Sequence, residues 1–385
     1  MTKANPHIVH VIAGLETGGA EMMLLKLIAE TAGRLRHSVI SLSGPGTLGP
    51  RMEAVGGTVV AMELGGPFAA LLALPRLARL LHRMKPDLVQ GWMYHGNIAA
   101  SLAAMLARAD WPVAWAIRCT IQTFQEKLFT RILVRAGALL SRQPMAIFYN
   151  SRPAQAQHEA IGYARCGIVL GNGFEMDRFA PDPQLRGVVR ARLGVTPDQL
   201  LVGYVGRLAP IKDLATFFAA MARLAAMRPD IAIVAMGRDL PRAHEMLPES
   251  QGDLAALGER LILLPEQTDI NGFYQAFDVL VLSSLAEGFP NVIGEAMASG
   301  TPCVSTDVGD CPAIIADTGR LVPVQAPGAM AAAVKDVLDL PMAARQMLGA
   351  NARARIAAHY SIGSIARAHE AEWLRLVAAR HSGTA

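Results

Sequence analysis

The sequence predicts an α/β protein of two Rossmann-like, doubly wound parallel-sheet domains, and three observations predict it. Short apolar runs rich in β-branched residues alternate with stretches of helical spacing. The alternation stops in a loop-rich passage near residue 175 and then restarts. The chain has 385 residues, enough for two domains that each bury a core.

The first run, "HIVHVIA" (7–13), is followed by glycines and by the helix-spaced "EMMLLKLIAETA". "HSVISLS" (37–43), "TVVAMEL" (58–64), "DLVQGW" (87–92) and "PVAWAIR" (112–118) repeat the theme, with helices expected over 68–84 and 97–108. The passage "GNGFEMDRFAPDPQLRG" (171–187) breaks the pattern with two prolines and three glycines. A second series follows: "LLVGYVGR" (200–207), "IAIVAMG" (231–237), "RLILLPE" (260–266), "DVLVLSS" (278–284) and "PCVSTDV" (302–308). Strands that alternate with helices imply parallel sheets. The expected division is an N-terminal domain over 1–175 and a C-terminal domain over 176–360. A last helix within 361–385 has no strand to pair with and is expected to pack back on the first domain.

Composition narrows the function. A 52% hydrophobic and 18% charged chain is globular rather than disordered. Its greasiest stretch, "FAALLALPRLARLL", is interrupted by Pro75, Arg76 and Arg79, so no segment of about 18 uncharged apolar residues can span a bilayer. No secretory signal is visible at the N-terminus, and Cys119, Cys166, Cys303 and Cys311 have neither C-x-x-C nor disulfide-framework spacing, which suits a reducing cytoplasm. Residues 1–178 carry 18 Lys+Arg against 11 Asp+Glu, whereas the remainder carries 18 against 21. That bias fits either an Arg-rich composition or a first half that meets an anionic surface or acceptor. Nucleic acid is not expected as a partner.

Open α/β sheets bind ligands beyond the carboxyl ends of their strands, so the residues there are the candidates. After the first strand, "GLETGGAE" places Gly18 and Gly19 at a helix start, where backbone N–H groups favour an anion; a tight turn is the plain alternative. It matches neither G-x-G-x-x-G nor a Walker A loop, which argues against a nicotinamide dehydrogenase. In "GRLAPIKD", Arg207 and Lys212 can neutralise a diphosphate or stand as solvated cations. In "AEGFPNVIGEAMASGTPCVSTDVGD", Pro290 suits a first helical turn and Phe289 or Asn291 can shape its entry, so that Gly288, Phe289, Pro290 and Asn291 are donor-binding candidates. Glu287 and Glu295 would be repelled by phosphate, so they are expected to accept hydrogen bonds from neutral hydroxyls of a ribose and a sugar. A favourable helix-dipole interaction in a first turn is the alternative for each.

With these residues in place, "GRLAPIKD" and "EGFPNVIGEAMASGTPCVSTDVGD" resemble the retaining glycosyltransferases of family 4, and the resemblance covers almost the entire chain. It implies the GT-B fold, two Rossmann-like domains facing a cleft. "GLETGGAE" resembles that family's N-terminal loop, "GWMYHGNIAASLAA" its acceptor-side segment, and the two glutamates its E-x7-E motif. The resemblance implies that Arg207 and Lys212 bind the donor diphosphate, Glu295 the ribose, and Glu287 the transferred sugar, with Gly18 and Gly19 completing the donor site. Many members carry a histidine where this chain has Arg118; His95, after the preceding strand, is the histidine in a comparable rim position. Arg118 is then expected on the departing phosphate or on an anionic acceptor.

The implied activity is transfer, with retention, from a UDP- or GDP-linked sugar to a saccharide or lipid-linked acceptor in surface-polysaccharide assembly such as O-antigen or capsule. No cofactor is expected. No D-x-D occurs, so a metal-independent reaction is expected. Lys127, Arg131 and Arg135 beside Phe124, Leu128, Ile132 and Leu139 describe either a basic amphipathic helix on anionic lipid or an ordinary half-solvated helix. A hydrolysing sugar-nucleotide 2-epimerase and a non-catalytic sugar-nucleotide sensor are the competing functions.

Overall fold

The computed structural model describes residues 5–65, 73–121 and 128–382. It divides into two compact units, one of residues 1–173 with 362–385, the other of residues 174–361.

The first unit is built on a parallel sheet of seven strands: β1 His7–Ile12, β2 Arg36–Ser41, β3 Thr58–Ala61, β4 Leu88–Trp92, β5 Val113–Ile117, β6 Ala146–Tyr149 and β7 Gly167–Val169, in the order β3-β2-β1-β4-β5-β6-β7. Side chains alternate across it. Ile8 and Ile12 join Leu24, Ile28 and Trp92 on one face, while Val9 and Val11 join Leu77, Leu81, Ala100 and Val134 on the other. The second unit has six parallel strands: β8 Leu200–Val205, β9 Ile231–Met236, β10 Leu261–Leu264, β11 Val279–Leu282, β12 Cys303–Thr306 and β13 Arg320–Val322, in the order β10-β9-β8-β11-β12-β13. Leu201 and Val205 pack with Phe289, Ile293 and Met297, and Val202 and Tyr204 with Phe217, Phe218 and Val334. Covered on both faces, such strands read as unbroken apolar runs, which is why the sequence displays them. Both units are doubly wound, as expected. In each, strand order reverses beside the first strand, between β1 and β4 and between β8 and β11.

Three strands, β6, β7 and β13, were not expected. Two have only three residues, and β13 is an edge strand that leaves Arg320 and Leu321 exposed, so neither offers an alternation long enough to see. The helix expected over 97–108 is Met93–Ala107, and that expected over 68–84 is Leu74–Met84, with residues 68–72 outside the described residues.

The closing helix, Ile362–Ser382, follows Met342–Tyr360 after the single extended residue Ser361. It belongs to the first unit and packs against the helix Gly19–Thr31, burying Ile362, Ile365, Ala366, Trp373, Leu376 and Val377. Trp373 Nε1–H donates to Gln90 Oε1 (2.5 Å), and its ring meets His10 and His37 edge-on, each 5.7 Å away between centroids.

These histidines form a directed chain. Trp92 Nε1–H donates to His10 Nδ1 (3.2 Å), so His10 carries its proton on Nε2 and donates to His37 Nδ1 (3.0 Å). His37 Nε2–H then donates to Thr31 Oγ1 (2.8 Å), whose hydroxyl donates to the Leu27 carbonyl (2.6 Å). Every link requires neutral rings. Burial, reinforced by the neighbouring His7, brings the His37 pKa down to about 4; burial, then His37, holds His10 well below the ordinary value. A folded-state pKa below that of the unfolded chain means that unfolding takes up protons, so stability falls as pH drops below about 6.5 and continues to fall toward 4. His37 alone is expected to remove about 3 kcal/mol between pH 7 and pH 4. Urea unfolding of wild type and His37→Asn across this range measures it; equal pH slopes in the two proteins would refute the assignment.

Candidate active site

In the second unit the candidate residues gather at the carboxyl ends of β8 and β11, where strand order reverses. This is where open parallel sheets form a ligand crevice. After β8, Arg207 is exposed and has no hydrogen bond or ion pair among the described residues. The chain then makes a 3₁₀ turn, Pro210–Lys212, and Asp213, at φ 45°, caps the helix Leu214–Met227 by accepting from the Thr216 N–H (3.3 Å). Lys212 therefore stands immediately before the helix rather than in it.

The β11 loop is stitched to this turn. Leu285 N–H donates to the Ile211 carbonyl (2.9 Å), and Ser283 Oγ–H to the Lys212 carbonyl (2.8 Å). Lys212 Nζ reaches Glu287 Oε1 at 2.5 Å, and Ser284 Oγ–H donates to the same oxygen at 2.7 Å. Both donors converge on Oε1, so Oε2 has no protein partner among the described residues. Both side chains of the ion pair are mostly covered, at 19% and 13% exposure for Lys212 and Glu287. A third loop fixes the Glu287 backbone from behind: Asp310 N–H donates to the Gly288 carbonyl (3.0 Å), and Gly309, at φ +59°, lets the chains meet where a Cβ would lie 2.5 Å from the Glu287 carbonyl oxygen. Only glycine fits there without strain.

Phe289 is buried between Phe174 and Tyr360, with ring centroids 6.0 and 5.9 Å away. Pro290 (φ −79°, ψ 92°) is the residue that caps the helix Asn291–Ala298, one place earlier than the first-turn position expected for it. Asn291 opens the helix and Glu295 lies in its second turn, so the first turn holds no acidic residue and the dipole account of Glu295 loses its basis. Instead, Tyr274 donates its hydroxyl to Glu295 Oε2 (2.8 Å). Both glutamates are thus anchored by protein donors, where the sequence suggested ligand hydroxyls or the helix dipole; a carboxylate this covered needs such partners.

The first unit holds the other candidates at the ends of β1, β4 and β5. Gly18, extended at φ −154°, caps the helix Gly19–Thr31, and the space where its Cβ would project is taken by the Glu21 carboxylate. Burial raises the Glu21 pKa, with a main-chain hydrogen bond opposing it. A carboxylate of the chain's own therefore sits at the helix start read as an anion site. His95 is the third residue of Met93–Ala107, half-buried, and burial lowers its pKa. It is placed by a sharp elbow: Met93 turns from strand to helix at φ 57°, a left-handed conformation that a methionine adopts only under strain. Gly96 lies against the Val11 carbonyl too closely for any Cβ, and buried Asn97 bridges to both main-chain groups of Ala116, donating at 3.2 Å and accepting at 3.3 Å.

Arg118 follows β5. Its guanidinium donates to the Leu170 and Gly171 carbonyls (3.4 and 3.1 Å) and to Asn172 Oδ1. It has no ion pair among the described residues, and burial lowers its pKa to about 9. The chain leaving β7 accepts these Nη hydrogen bonds, while the buried Nε–H has no partner among the described residues. Arg131, Ile132, Arg135 and Leu139 are exposed on the helix Leu128–Leu140; Phe124, Lys127 and the side chain of Leu128 lie outside the described residues. Ser284 and Tyr274 escaped the sequence reading. Ser284 had a signal, being the second residue after a strand; Tyr274 had none.

Two doubly wound units with this carboxylate and cation arrangement define a GT-B protein, and comparison with known proteins gives its family. Residues 199–339 match the family described as "Glycosyl transferases group 1", and residues 17–178 match "Glycosyltransferase Family 4". The chain belongs to these family 4, group 1 glycosyltransferases. It is similar to the putative glycosyltransferase EpsF of Bacillus subtilis, 24% identical over 325 residues that span 80% of each protein. It also resembles D-inositol 3-phosphate glycosyltransferase of Mycobacterium bovis, 32% identical over 197 residues, covering 50% of this chain and 40% of that protein. Among solved structures, Anabaena HepE in complex with UDP superimposes with a TM-score of 0.81 at 21% identity, covering 96% of this chain and 99% of that one. A glycosyltransferase from Rickettsia africae gives 0.78 at 16% identity, covering 97% and 99%. Among the described residues no helix is long and apolar enough to cross a membrane, and no group of three or more His, Cys, Asp or Glu side chains is placed to hold a metal ion.

Proposed function

We propose that this glycosyltransferase takes its sugar from a UDP- or GDP-linked donor and transfers it, with retention and without a metal, to a saccharide or lipid-linked acceptor in surface-polysaccharide assembly. The observation that carries the reading is the Lys212–Glu287 pair at the β8/β11 crevice, with the exposed Arg207 on the same rim and Glu295 on the adjoining helix. HepE, a structural neighbour, has been solved with UDP and with UDP-glucose, which supports a nucleotide donor of this kind.

In this reading Arg207 and Lys212 stabilise the charge that develops on the departing diphosphate, the largest electrostatic demand of the step. Glu295 receives ribose hydroxyls, and Glu287, its Oε1 held by Lys212 and Ser284, turns Oε2 to hydroxyls of the sugar. In the first unit, His95 serves the acceptor. The helices Leu74–Met84, Met93–Ala107 and Leu128–Leu140 contain no Asp or Glu and expose Arg79, Arg83, Met105 and Leu106; this face is assigned to anionic lipid.

Calorimetry and rates separate the two glutamates. Glu295→Gln should weaken free UDP or GDP by about 1.5 to 3 kcal/mol, the value of a hydrogen bond to a charged acceptor. Glu287→Gln should bind the nucleotide almost normally yet lose turnover and discrimination among donor sugars. Equal loss of nucleotide affinity in both would refute the division of roles. The same transfer assay, run in EDTA and with acceptor extract in anionic or neutral vesicles, tests the rest: a rate abolished by EDTA and restored by Mg²⁺ overturns metal independence, and equal rates on both lipids remove the membrane assignment.

A further inference from the structure

Tyr274 is a fully buried side chain of the second unit whose hydroxyl points at the site. It lies on the short helix Asn271–Ala276, and its ring packs against Phe179 and Phe277, with centroids 6.1 and 6.4 Å away. Its main chain is tied as well, since Thr301 Oγ1–H donates to the Tyr274 carbonyl (2.7 Å) while Thr301 N–H donates to the Ala296 carbonyl (2.9 Å), one residue beyond Glu295. The ring, its backbone and the helix that bears Glu295 are therefore one rigid group.

A phenol in this position has a single role open to it. Burial, then the charge of Glu295, pushes its pKa well above the ordinary tyrosine value, so it keeps its proton and remains a donor throughout the physiological range. The O–H donated to Glu295 Oε2 at 2.8 Å acts on a terminal torsion whose intrinsic preference is broad, so a directed contact of this kind helps to set it. We propose that Tyr274 is a positioning residue for the nucleotide: by holding one carboxylate oxygen of Glu295 it sets the direction in which that carboxylate meets the ribose hydroxyls. Without the clamp, the carboxylate would give up more rotational freedom on each binding event, and affinity would fall by that cost. The proposal rests on the assignment of Glu295 to the ribose, and touches neither the diphosphate nor the transferred sugar.

Tyr274→Phe keeps the ring and removes only the hydroxyl, so the fold is expected to persist, which a melting curve verifies. UDP, or GDP if that is the base bound, should bind on the order of 10-fold more weakly, equivalent to ~1.4 kcal/mol. KM for the donor should rise in step while kcat changes less than about 2-fold, because a uniform binding interaction has been weakened. In a Glu295→Gln background the same change should have little further effect on nucleotide affinity, as expected for two groups that act through one contact. A packing role alone would lower the melting temperature without this split or this coupling. Wild-type nucleotide affinity in Tyr274→Phe, alongside a loss in Glu295→Gln, would overturn the proposal and spare the ribose assignment. Full additivity of the two losses would also overturn it. Failure of Glu295→Gln to weaken nucleotide binding would remove the ribose assignment itself, and this proposal with it.

Discussion

Lys212→Ala is expected to reduce kcat by on the order of 10²-fold or more, the typical cost of removing one preorganised group that meets charge developing in a transition state. Stability should fall too, for a reason separate from catalysis. Lys212 and Glu287 are both mostly covered, and deleting the cation leaves a carboxylate whose one remaining side-chain donor among the described residues is Ser284. Replacing Glu287 by Gln in the same chain relieves that charge, so the double variant should regain melting temperature while its turnover remains lost. Arg207→Ala makes the contrast: Arg207 is exposed and without a protein partner among the described residues, so its removal should depress turnover comparably with no change in melting. Steady-state rates beside melting curves for the three proteins make the measurement. Near-normal turnover in either single variant removes that residue from the mechanism.

Trp373→Ala should be the most damaging single change to the first unit, at about 3 to 5 kcal/mol for an aromatic removed from a packed core. The ring is fully buried against His10, His37 and His369, and its indole N–H donates to the Oε1 of Gln90, a buried amide in the middle of β4. Truncation therefore opens a cavity and strands a polar group at once. Trp373→Phe, which keeps much of the volume but loses the donor, should cost less. Urea unfolding followed by far-UV circular dichroism reads both; a loss below about 1 kcal/mol in the alanine variant would show that the closing helix contributes little.

How much of this was legible depended on distance along the chain. Central strands such as "HIVHVI" and "LLVGYV" are covered on both faces, so burial itself writes them as apolar runs, and the residues that follow them inherit a position at the rim. That is how Arg207, Lys212, Glu287 and Glu295 could be placed beside one sheet edge from the sequence. What the sequence did not reveal is pairing. Lys212 and Glu287 are 75 residues apart, and Arg118 meets carbonyls 52 and 53 residues away. Tyr274 lies 21 residues before Glu295 and on a different helix, so no local period links the two. The elbow at Met93 was invisible for a different reason: a methionine at positive φ is held there by neighbours, and nothing in its own chemistry announces it.

The single extended residue at Ser361 fixes an order of events during synthesis. The second unit is contiguous, so it can complete its fold as soon as residue 361 has emerged, whereas the first needs residues from 362 onward. A nascent chain that has released only its first 173 residues still leaves Leu24, Ile28 and Gln90 without the side chains of Trp373, Leu376 and Val377. At typical elongation rates of ~5 to 20 residues per second, the intervening segment of roughly 190 residues holds that apolar surface open for about 10 to 40 s. The usual N-terminal-first sequence of domain folding is reversed, and the unit whose first residues are made first is the one that waits, exposed to chaperones and proteases, for the helix Ile362–Ser382 to emerge.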